Sequence, residues 1–151
     1  MHVHIKPFNE LAPLELYHIL KLRQDIFIVE QKVVYSDIDG KDLFSTHFWR
    51  QGEASHDILA YLRVVPWEEK EEVSIGRVFT AFSARGQSLA RHLIKKAVDF
   101  AKMTYPAWAL NLQAQDYLRD FYKSLGFKET GPVFYYPDEN AVPHVPMTYI
   151  K

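Results

Sequence analysis

Residues 74–93 read SIGRVFTAFSARGQSLARHL, and this stretch decides the fold. Its first part, residues 74–82, is rich in Ile, Val, Phe and Thr, which predicts a buried strand. A short turn follows, and the spacing of the apolar residues then predicts a helix over residues 85–103. One face of that helix carries Leu89, Leu93, Ala97 and Phe100. A strand that turns directly into a helix is typical of α/β domains.

The rest of the chain continues this mixture of strands and helices on both sides. The predicted elements before this stretch are a strand around residues 3–5, a helix over residues 16–27 behind Pro13, and strands at 46–50 and 58–65. Those after it are a strand at 108–114, a helix from its N-cap Asp116 to Gly126, and strands at 127–135 and 144–150. This order predicts one α/β (α+β) domain with a mixed sheet over residues 1–151.

The composition narrows the classes of function that the chain can have. Its formal net charge of −1 gives no basic surface of the kind that binds nucleic acid or an anionic membrane. Cysteine is absent, which excludes disulfides, thiolate metal sites and cysteine nucleophiles. No apolar run is long enough to cross a membrane, and the first residues, MHVHIKPF, do not resemble a signal peptide. We therefore expect a cytoplasmic protein without nucleic-acid or membrane partners.

The turn between the predicted strand and helix is a candidate anion site. The first amides of a helix have no intrahelical acceptor, and the helix dipole adds positive potential there. Arg85 brings a formal charge to this turn, and Gly86 lets the backbone approach a ligand closely. Such a turn can hold a phosphate or pyrophosphate. From these residues alone, an ordinary strand–turn–helix connection with a convenient glycine stays open as the alternative.

A second segment, residues 111–127, reads NLQAQDYLRDFYKSLGF and combines a strand, a helix and a glycine stop. The helical spacing places Tyr122 on the face that points to the core. A buried tyrosine needs a partner for its hydroxyl group, and that partner can be structural or catalytic. Spacing alone favours a tyrosine that simply packs.

Taken together, the two segments resemble the GNAT acyltransferase superfamily. Its pyrophosphate loop follows the pattern Arg/Gln-x-x-Gly-x-Gly/Ala, matched here by Arg85-Gly86-Gln87-Ser88-Leu89-Ala90. Its later helix follows Phe-Tyr-x-x-x-Gly-Phe, matched here by FYKSLGF at residues 121–127. Many members have an Asn seven residues before the tyrosine, where this chain has Gln115. Ser88 departs from the pattern because the family prefers glycine there, and we expect this serine to weaken coenzyme binding.

More narrowly, the chain is similar to the ElaA-like branch of that superfamily over about residues 8–147. The matching residues are Leu22, Arg23, Ile26, Phe27, Ile28, Val29, Glu30, Gln31, Tyr35, Asp37, Ile38, Asp39, Gly40, Asp42, His47, Arg63, Ile75, Gly76, Arg77, Val78, Ala114, Gln115, Pro143 and His144. The resemblance implies a single GNAT-type domain, with a mixed, mostly antiparallel central sheet of about seven strands flanked by about four helices.

The resemblance also implies a reaction and a site. Acetyl-CoA would be the cosubstrate, without a metal, and a primary amine would attack its thioester directly. The residues implied to bind the coenzyme are Val78, Phe79, Thr80, Arg85, Gly86, Gln87, Ser88, Leu89, Ala90 and Gln115. A backbone amide within residues 78–80 would hold the oxyanion. Tyr122 would protonate or hydrogen-bond the departing thiolate.

The general base is open among several polar residues. Glu30 is the first candidate for contact with the substrate, and the others are Asp39, Asp42, His47 and His144. Each of them also has a purely structural interpretation, in turns, at a helix end or as a hydrogen-bonded histidine. Arg77, which lies within an apolar strand, is expected to pair with a carboxylate.

Two other functions remain as alternatives. The first is a catalytically inactive CoA-binding module that acts as a sensor or binds a partner. The second, a nucleotide-dependent enzyme, is disfavoured because no Gly-Lys-Ser/Thr follows the turn. The acceptor stays open among small amines, amino acids, aminoglycosides, peptides and proteins, and its specificity is expected to come from residues 33–46 and 135–146. Residues 133–136 would suit a homodimer interface.

Overall fold

Strands and helices alternate along the chain in a computed structural model that describes residues 2–32, 35–54, 57–136 and 142–150. The strands are β1 (His2–Pro7), β2 (Thr46–Gln51), β3 (Ile58–Trp67), β4 (Glu72–Thr80), β5 (Ala109–Gln115), β6 (Phe127–Glu129), β7 (Phe134–Tyr135) and β8 (Pro143–Tyr149). The α-helices are α1 (Pro13–Arg23), α2 (Leu89–Thr104) and α3 (Arg119–Lys123). A π-helix covers Gln24–Glu30, and 3₁₀ turns cover Phe8–Glu10, Lys41–Phe44, Glu68–Lys70, Phe82–Ala84 and Asp116–Leu118.

The strands form one mixed, mostly antiparallel sheet, as predicted. Its order is β1-β2-β3-β4-β5-β8-β6, with β7 also paired to β8, and only β4 and β5 run parallel. The described part of the chain has eight strands rather than about seven. The strand predicted over residues 127–135 is divided into β6 and β7, because Gly131 and Pro132 interrupt it and proline lacks the N–H that a ladder needs.

The two faces of the sheet bury different helices, and we call them the α2 face and the α1 face. On the α2 face, α2 packs on β2, β3 and β4 and α3 packs on β5, whose side chains Leu110, Leu112 and Ala114 belong to the same core. On the α1 face, Ile19 of α1 and Ile26 of the π-helix pack with core residues of the sheet. Among the described residues, no helix is long and apolar enough to cross a membrane.

Helix α2 is the main amphipathic element of the fold. Its buried residues are Leu89, Leu93, Ile94, Ala97, Val98 and Ala101, at the helical spacing that the sequence predicts. Its predicted start at residue 85 is wrong, because the helix begins at Leu89. Gly86 has φ 83° and Ser88 has φ 59°, and a right-handed helix cannot contain either conformation in its interior.

Two other predicted helices also differ from the structure. Helix α1 ends at Arg23, and the following residues form the π-helix; seven residues are too few for apolar spacing to distinguish the two helix types. Asp116 opens a 3₁₀ turn instead of capping an α-helix, and its carboxylate accepts a hydrogen bond from Arg119. Three α-helices are therefore described where about four were expected. Gly126 follows α3 with φ 99°, as predicted for the residue that ends a helix.

Candidate active site

A cleft opens where the two parallel strands separate. The pairing of β4 with β5 is confined to Glu72–Ala109, Val73–Leu110 and Ser74–Asn111. Beyond these pairs both strands continue without pairing to each other, to Thr80 and Gln115 respectively. The resulting cleft has a volume of about 1210 Å³ and is lined by both strand ends, α3 and the π-helix. Strand backbone that faces a cleft offers N–H and C=O groups to an extended ligand.

A β-bulge shapes the β4 side of the cleft. Arg77 and Val78 lie opposite the single residue Leu62 of β3, and Arg77 has φ 54°. The extra residue reverses the alternation of side chains, so that Ile75 packs on the α2 face and Phe79 on the α1 face. Bulges of this kind redirect backbone groups and are frequent next to active sites. The three residues predicted to contact the coenzyme on this strand, Val78, Phe79 and Thr80, all line the cleft.

The predicted pyrophosphate loop lies between β4 and α2. Arg85 has an extended backbone, Gly86 and Ser88 have positive φ, and Ser88 is the N-cap of α2. The first bond into the helix runs from the amide of His92 to the carbonyl of Ser88, so the amides before His92 have no intrahelical acceptor. Arg85 and Ala90 line the cleft, while Gln87, Ser88 and Leu89 line a neighbouring groove. The loop therefore presents a row of N–H donors at a positive helix end.

Ser88 should be a strained residue, and glycine should relieve the strain. A non-glycine residue at φ 59° costs on the order of 1 kcal/mol or more. Glycine would remove this cost, but its greater flexibility in the unfolded chain offsets part of the gain in stability. We expect Ser88→Gly to raise the free energy of unfolding by about 0.5–1 kcal/mol, measured by urea denaturation. Ser83→Gly in the same loop is the control, and it should lower stability because Ser83 has no positive φ. A Ser88→Gly protein less stable than the parent would contradict the strain.

A basic groove of about 470 Å³ continues from this loop along α2. Its ionisable residues are Arg50, Arg91, His92, Lys95, Lys96 and Asp99. The Nε of Arg50 is buried without a hydrogen-bond partner in the described part of the chain. Sequence reasoning missed this groove, although the basic residues at positions 91, 92, 95 and 96 have the spacing of one helix face and indicate it.

Arg85 reaches from the loop to the opposite rim of the cleft. Its Nη2 lies 2.9 Å from Oε1 and 3.0 Å from Oε2 of Glu30, the last residue of the π-helix. Its Nε donates to the carbonyl of Thr80 at 3.3 Å. The two charged side chains are 42% and 43% exposed, so the pair is solvated and contributes little to stability. Arg85, which is predicted to bind the anion, thus contacts Glu30, which is one of the candidate bases.

Tyr122 lies on α3 with its ring in the core of the α2 face. Only 5% of the residue is exposed, and its ring meets those of Phe121 and Phe127 edge-on. Tyr122 also lines the cleft, which places it at the boundary between core and ligand space. Burial raises the pKa of its hydroxyl group above the usual value, and the nearby Tyr117 adds to the shift. The phenol therefore stays protonated and can act as a hydrogen-bond donor at neutral pH.

An arginine–aspartate network lies next to the cleft on the α1 face, and its members Asp39, Arg63 and Arg77 line the cleft. Its members are Arg23, Arg63, Arg77, Asp37, Asp39 and Asp42, and Lys41 joins it at 3.8 Å from Asp39 Oδ2. Its shortest contacts are Arg63 Nη2 to Asp39 Oδ2 at 2.6 Å and Arg23 Nη1 to Asp42 Oδ1 at 2.7 Å. Arg77 pairs with a carboxylate, as expected, because the Nε of Arg77 donates to Asp37 Oδ1 at 2.8 Å.

This network accounts for three of the predicted bases. Burial opposes the charged form of Asp39 and Asp42, but the hydrogen bonds and charges of Arg63 and Arg23 outweigh it and hold both pKa values below the usual range. His47 is buried, does not line the cleft, and contacts the Tyr61 hydroxyl and the Asp42 carbonyl. Burial lowers its pKa. These arrangements favour the structural interpretation of all three residues.

The low pKa values in the network predict a loss of stability in acid. A carboxyl group whose pKa is lower in the folded chain stabilises it above the unfolded pKa, near 4, and loses that effect as the pH falls through the folded pKa. We expect the free energy of unfolding to fall between pH 5 and pH 2, with Asp39 contributing on the order of 1 kcal/mol after allowance for solvent screening. Urea titrations at several pH values would measure it. The slope should be shallower in Asp39→Asn, and unchanged in a variant of the exposed Asp99; equal slopes in all three would refute the assignment.

His144 is the remaining predicted base, and it lies in the cleft. It pairs in register with Gln115 of β5, and both residues line the cleft. Its Nδ1 lies 3.0 Å from the carbonyl of Val142, and the ring of Tyr136 meets its ring edge-on at 4.9 Å. Parts of the two predicted specificity loops, residues 33–34 and 137–141, lie outside the described residues.

The described residues contain no group of three or more His, Asp or Glu side chains that could hold a metal ion. The paired histidines near the start of the chain pack on each other and on the sheet. The rings of His2 and His4 are 4.7 Å apart, and His4 stacks on Trp49 at 4.8 Å.

Known proteins resemble this chain in sequence and in structure. A family model described as an acetyltransferase (GNAT) domain matches residues 45–151. The protein ElaA of Escherichia coli K12 is 34% identical over 140 residues, covering 92% of this chain and 90% of ElaA. The crystal structure of E. coli ElaA superposes with a TM-score of 0.90 and 31% identity, over 99% of each chain. That of an acyl-CoA N-acyltransferase from Pseudomonas aeruginosa gives 0.89 and 32%, over 99% of this chain and 100% of that one.

Proposed function

This chain belongs to the GNAT acetyltransferase family, with ElaA among its relatives, and we propose that it transfers the acetyl group of acetyl-CoA to a primary amine. The observation that carries the proposal is the separation of β4 from β5 directly beside a helix start rich in N–H donors. An extended thioester with an anionic end needs both features. The family alone supports an acyltransferase, and the acetyl group and the amine are our proposal.

The coenzyme would lie along the cleft on the α2 face. Its pantetheine arm would pair with the backbone at Val78–Thr80, and its pyrophosphate would bind the amides of residues 86–90 together with Arg85. The ribose phosphate of CoA would reach the basic groove that contains Arg50 and Lys96. Gln115, at the end of β5, would contact the arm from the other wall of the cleft.

The reaction that this placement supports is direct attack of the amine on the thioester carbon. A backbone amide near the bulge at Val78 would donate to the oxyanion. Tyr122 would donate a hydrogen bond to the departing sulfur. Since burial raises the tyrosine's pKa while a thiol titrates near 8.5, full proton transfer from this hydroxyl would be uphill. The thiolate therefore leaves hydrogen-bonded and takes its proton from water.

Coenzyme binding is tested first by the melting temperature with and without acetyl-CoA. At 100 times the dissociation constant the ligand adds about 2.7 kcal/mol, which corresponds to a shift of roughly 5–11 °C for a chain of this size. Arg85→Glu should lose the shift, because it places a negative charge at the pyrophosphate. Release of CoA thiol over a panel of amino acids, polyamines, aminoglycosides and lysine peptides then tests transfer. No shift in the parent protein would refute the proposal.

The ion pair between Arg85 and Glu30 favours one alternative, a CoA-binding module without transfer activity. In the structure Glu30, the first candidate for contact with the substrate, is already paired with Arg85 and so is not poised as a base. Binding without thiol release for any amine in the panel would support that module.

Replacing Glu30 should strengthen coenzyme binding. Its carboxylate competes with the pyrophosphate for Arg85, and an exposed pair of this kind is worth about 0.2–1 kcal/mol. We expect Glu30→Gln to lower the Kd for acetyl-CoA by about 1.5- to 5-fold in a calorimetric titration. Glu10→Gln, at an exposed residue that lines neither the cleft nor the basic groove, should leave the Kd unchanged. Weaker binding in Glu30→Gln would mean that the carboxylate positions Arg85 for the coenzyme instead.

Some properties of the chain stay predictions. They are the cytoplasmic location, the possible homodimer, and the role of Glu30 as a base. The proposal that residues 1–151 form one domain is compatible with one continuous sheet running from β1 to β6.

A further inference from the structure

We infer that the side chain of Arg77 holds the β4 bulge at the position that directs the proposed oxyanion amide near Val78 into the cleft. The inference rests on the proposed acetyl transfer and adds a positioning residue to it. Arg77 acts through the backbone and does not itself contact the reacting atoms. The observation behind it is a left-handed backbone conformation at an arginine, directly after a glycine that does not adopt it.

The extra residue of the bulge has more than one position available to it. In the structure Arg77 and Val78 lie opposite the single residue Leu62. Packing fixes the strand on either side, because Ile75 belongs to the core of the α2 face and Phe79 to that of the α1 face. One surplus residue must therefore lie between Ile75 and Phe79, and any of the three positions between them would satisfy the packing.

Steric preference alone would place the left-handed residue of the bulge at Gly76. Glycine adopts positive φ without a steric penalty, and in bulges with a left-handed first residue that residue is usually glycine. The structure has the opposite arrangement, since Arg77 has φ 54° and Gly76 is not among the described glycines with positive φ. A Cβ added at Gly76 would meet no atom within 4 Å. Contacts of the Arg77 side chain must therefore hold the bulge where it is.

Those contacts join Arg77 to a loop that is itself fixed by buried arginines. The Nε of Arg77 donates to Asp37 Oδ1 at 2.8 Å, and its Nη2 lies 3.2 Å from the Asp37 carbonyl and 3.4 Å from Asp39 Oδ2. The fully buried Arg23 holds Asp37 through its other carboxylate oxygen at 3.1 Å. Arg63 binds both carboxylate oxygens of Asp39. Hydrogen bonds between charged groups in such a fixed arrangement can outweigh the strain of one residue.

The position of the bulge decides where the amide near Val78 points. The peptide group is planar, so the φ and ψ of Arg77 set the direction of the next N–H, that of Val78. A bulge is also the point at which the alternation along a strand is reversed. Moving the positive φ to Gly76 would turn the peptide groups on both sides of Arg77 and break its contacts with the loop. The grip of the loop on Arg77 therefore sets the direction of the amide that the proposed reaction uses.

The first test moves the glycine from position 76 to position 77, with the amine that gives the fastest thiol release. Arg77→Ala loses the contacts with the loop, so the positive φ should move to Gly76. We expect kcat to fall by about 100-fold, as for the loss of an oxyanion donor, while KM for acetyl-CoA stays within about threefold of the parent. The double variant Gly76→Ala with Arg77→Gly loses the same contacts but favours positive φ at position 77, and it should recover most of kcat. Arg77→Gly alone, with glycine at both positions, should lie between the two.

The double variant is also the control for stability, because it loses the same ion pairs as Arg77→Ala. A purely structural role of the side chain would affect both proteins equally. Lys6→Ala, which removes a half-buried cation paired with Glu15 outside the cleft, should keep the parent rate. A parent-like kcat in Arg77→Ala, or a double variant that binds acetyl-CoA but is no faster than Arg77→Ala, would overturn the inference. If alanine at position 76 obstructs the coenzyme, Arg77→Gly takes its place in this comparison, and a kcat no higher than that of Arg77→Ala has the same meaning.

The second test needs no acceptor, and it decides the matter if no amine in the panel reacts. Infrared difference spectroscopy of bound acetyl-CoA with a ¹³C-labelled carbonyl reports the hydrogen bond to the thioester oxygen, because such a bond lowers the carbonyl stretching frequency. We expect a lower frequency in the parent and in the double variant than in Arg77→Ala. Equal frequencies in the three proteins would overturn the inference and leave coenzyme binding intact. The absence of a melting shift on acetyl-CoA in the parent would overturn the proposed function as well, so the two failures are distinguishable.

Discussion

Tyr122→Phe is expected to bind acetyl-CoA as the parent does and to lose most of its turnover. The substitution removes a single hydroxyl group from a ring that is packed against Phe121 and Phe127, so the fold should keep its shape. A hydrogen bond to the departing sulfur exists only as the C–S bond breaks, so its loss should lower kcat and leave the Kd of the coenzyme unchanged. Loss of one such donor typically costs about 100- to 1000-fold in kcat.

The matched control is Tyr105→Phe, which removes the same group from a tyrosine that stacks on Trp108 outside the cleft. Thiol release should be normal in that variant. If Tyr122→Phe keeps a rate within twofold of the parent, the tyrosine has no part in the chemistry and only packs. If it loses coenzyme binding together with turnover, its hydroxyl group contributes to the ground-state complex and not to the departure of the thiol.

Arg23→Met is expected to give the largest loss of stability among the substitutions considered. The Arg23 side chain is fully buried and bonds to Asp37 and Asp42, and its guanidinium lies 5.9 Å from the ring of Tyr61. Removing one partner from a buried ion network leaves the other charges without solvent and costs about 3–5 kcal/mol. Since each aspartate keeps one arginine, we expect about 3 kcal/mol and a melting temperature lowered by roughly 6–12 °C.

Lys21→Met on the same helix is the control, because Lys21 pairs with Asp25 in an exposed i,i+4 contact worth less than about 0.5 kcal/mol. The double variant Arg23→Met with Asp42→Asn restores the charge balance and should lose less stability than the sum of the two single changes. Strict additivity, or an Arg23→Met protein as stable as the Lys21→Met control, would show that the network does not act as a unit.

Patterns of local sequence were sufficient to predict the main elements of the fold. The Ile, Val, Phe and Thr residues of the stretch 74–82 and the apolar stripe of α2 predict the central strand–helix unit, because branched and aromatic residues favour strands and helical periodicity reflects burial. The motif at residues 121–127 predicts a tyrosine at the boundary of the core. Gly126 has φ 99°, and a positive φ is what a glycine that follows a helix predicts.

Features that depend on contacts between distant residues could not be predicted in this way. The pairing of Arg23 with Asp37 and Asp42 joins residues 14 and 19 positions apart, and the sequence shows only that charges are present. The contact of Glu30 with Arg85 spans 55 positions. The bulge has its positive φ at Arg77 and not at the neighbouring Gly76, and it decides which face of the sheet Phe79 joins. Sequence patterns therefore identified the candidate residues, but only the fold showed which arginine each carboxylate pairs with.

The position of β8 also affects how the protein assembles during synthesis. Strand β8 follows the other described strands in the sequence, yet it lies between β5 and β6 and is the ladder partner that joins them. Until the ribosome has released residues 143–149, the outer edge of β5 stays open and β6 has no neighbour among the described strands. Such an unpaired edge is prone to aggregation in a nascent chain. We expect chains stalled before residue 143 to be protected by chaperones or degraded, and the wall of the cleft that carries His144 to be completed last.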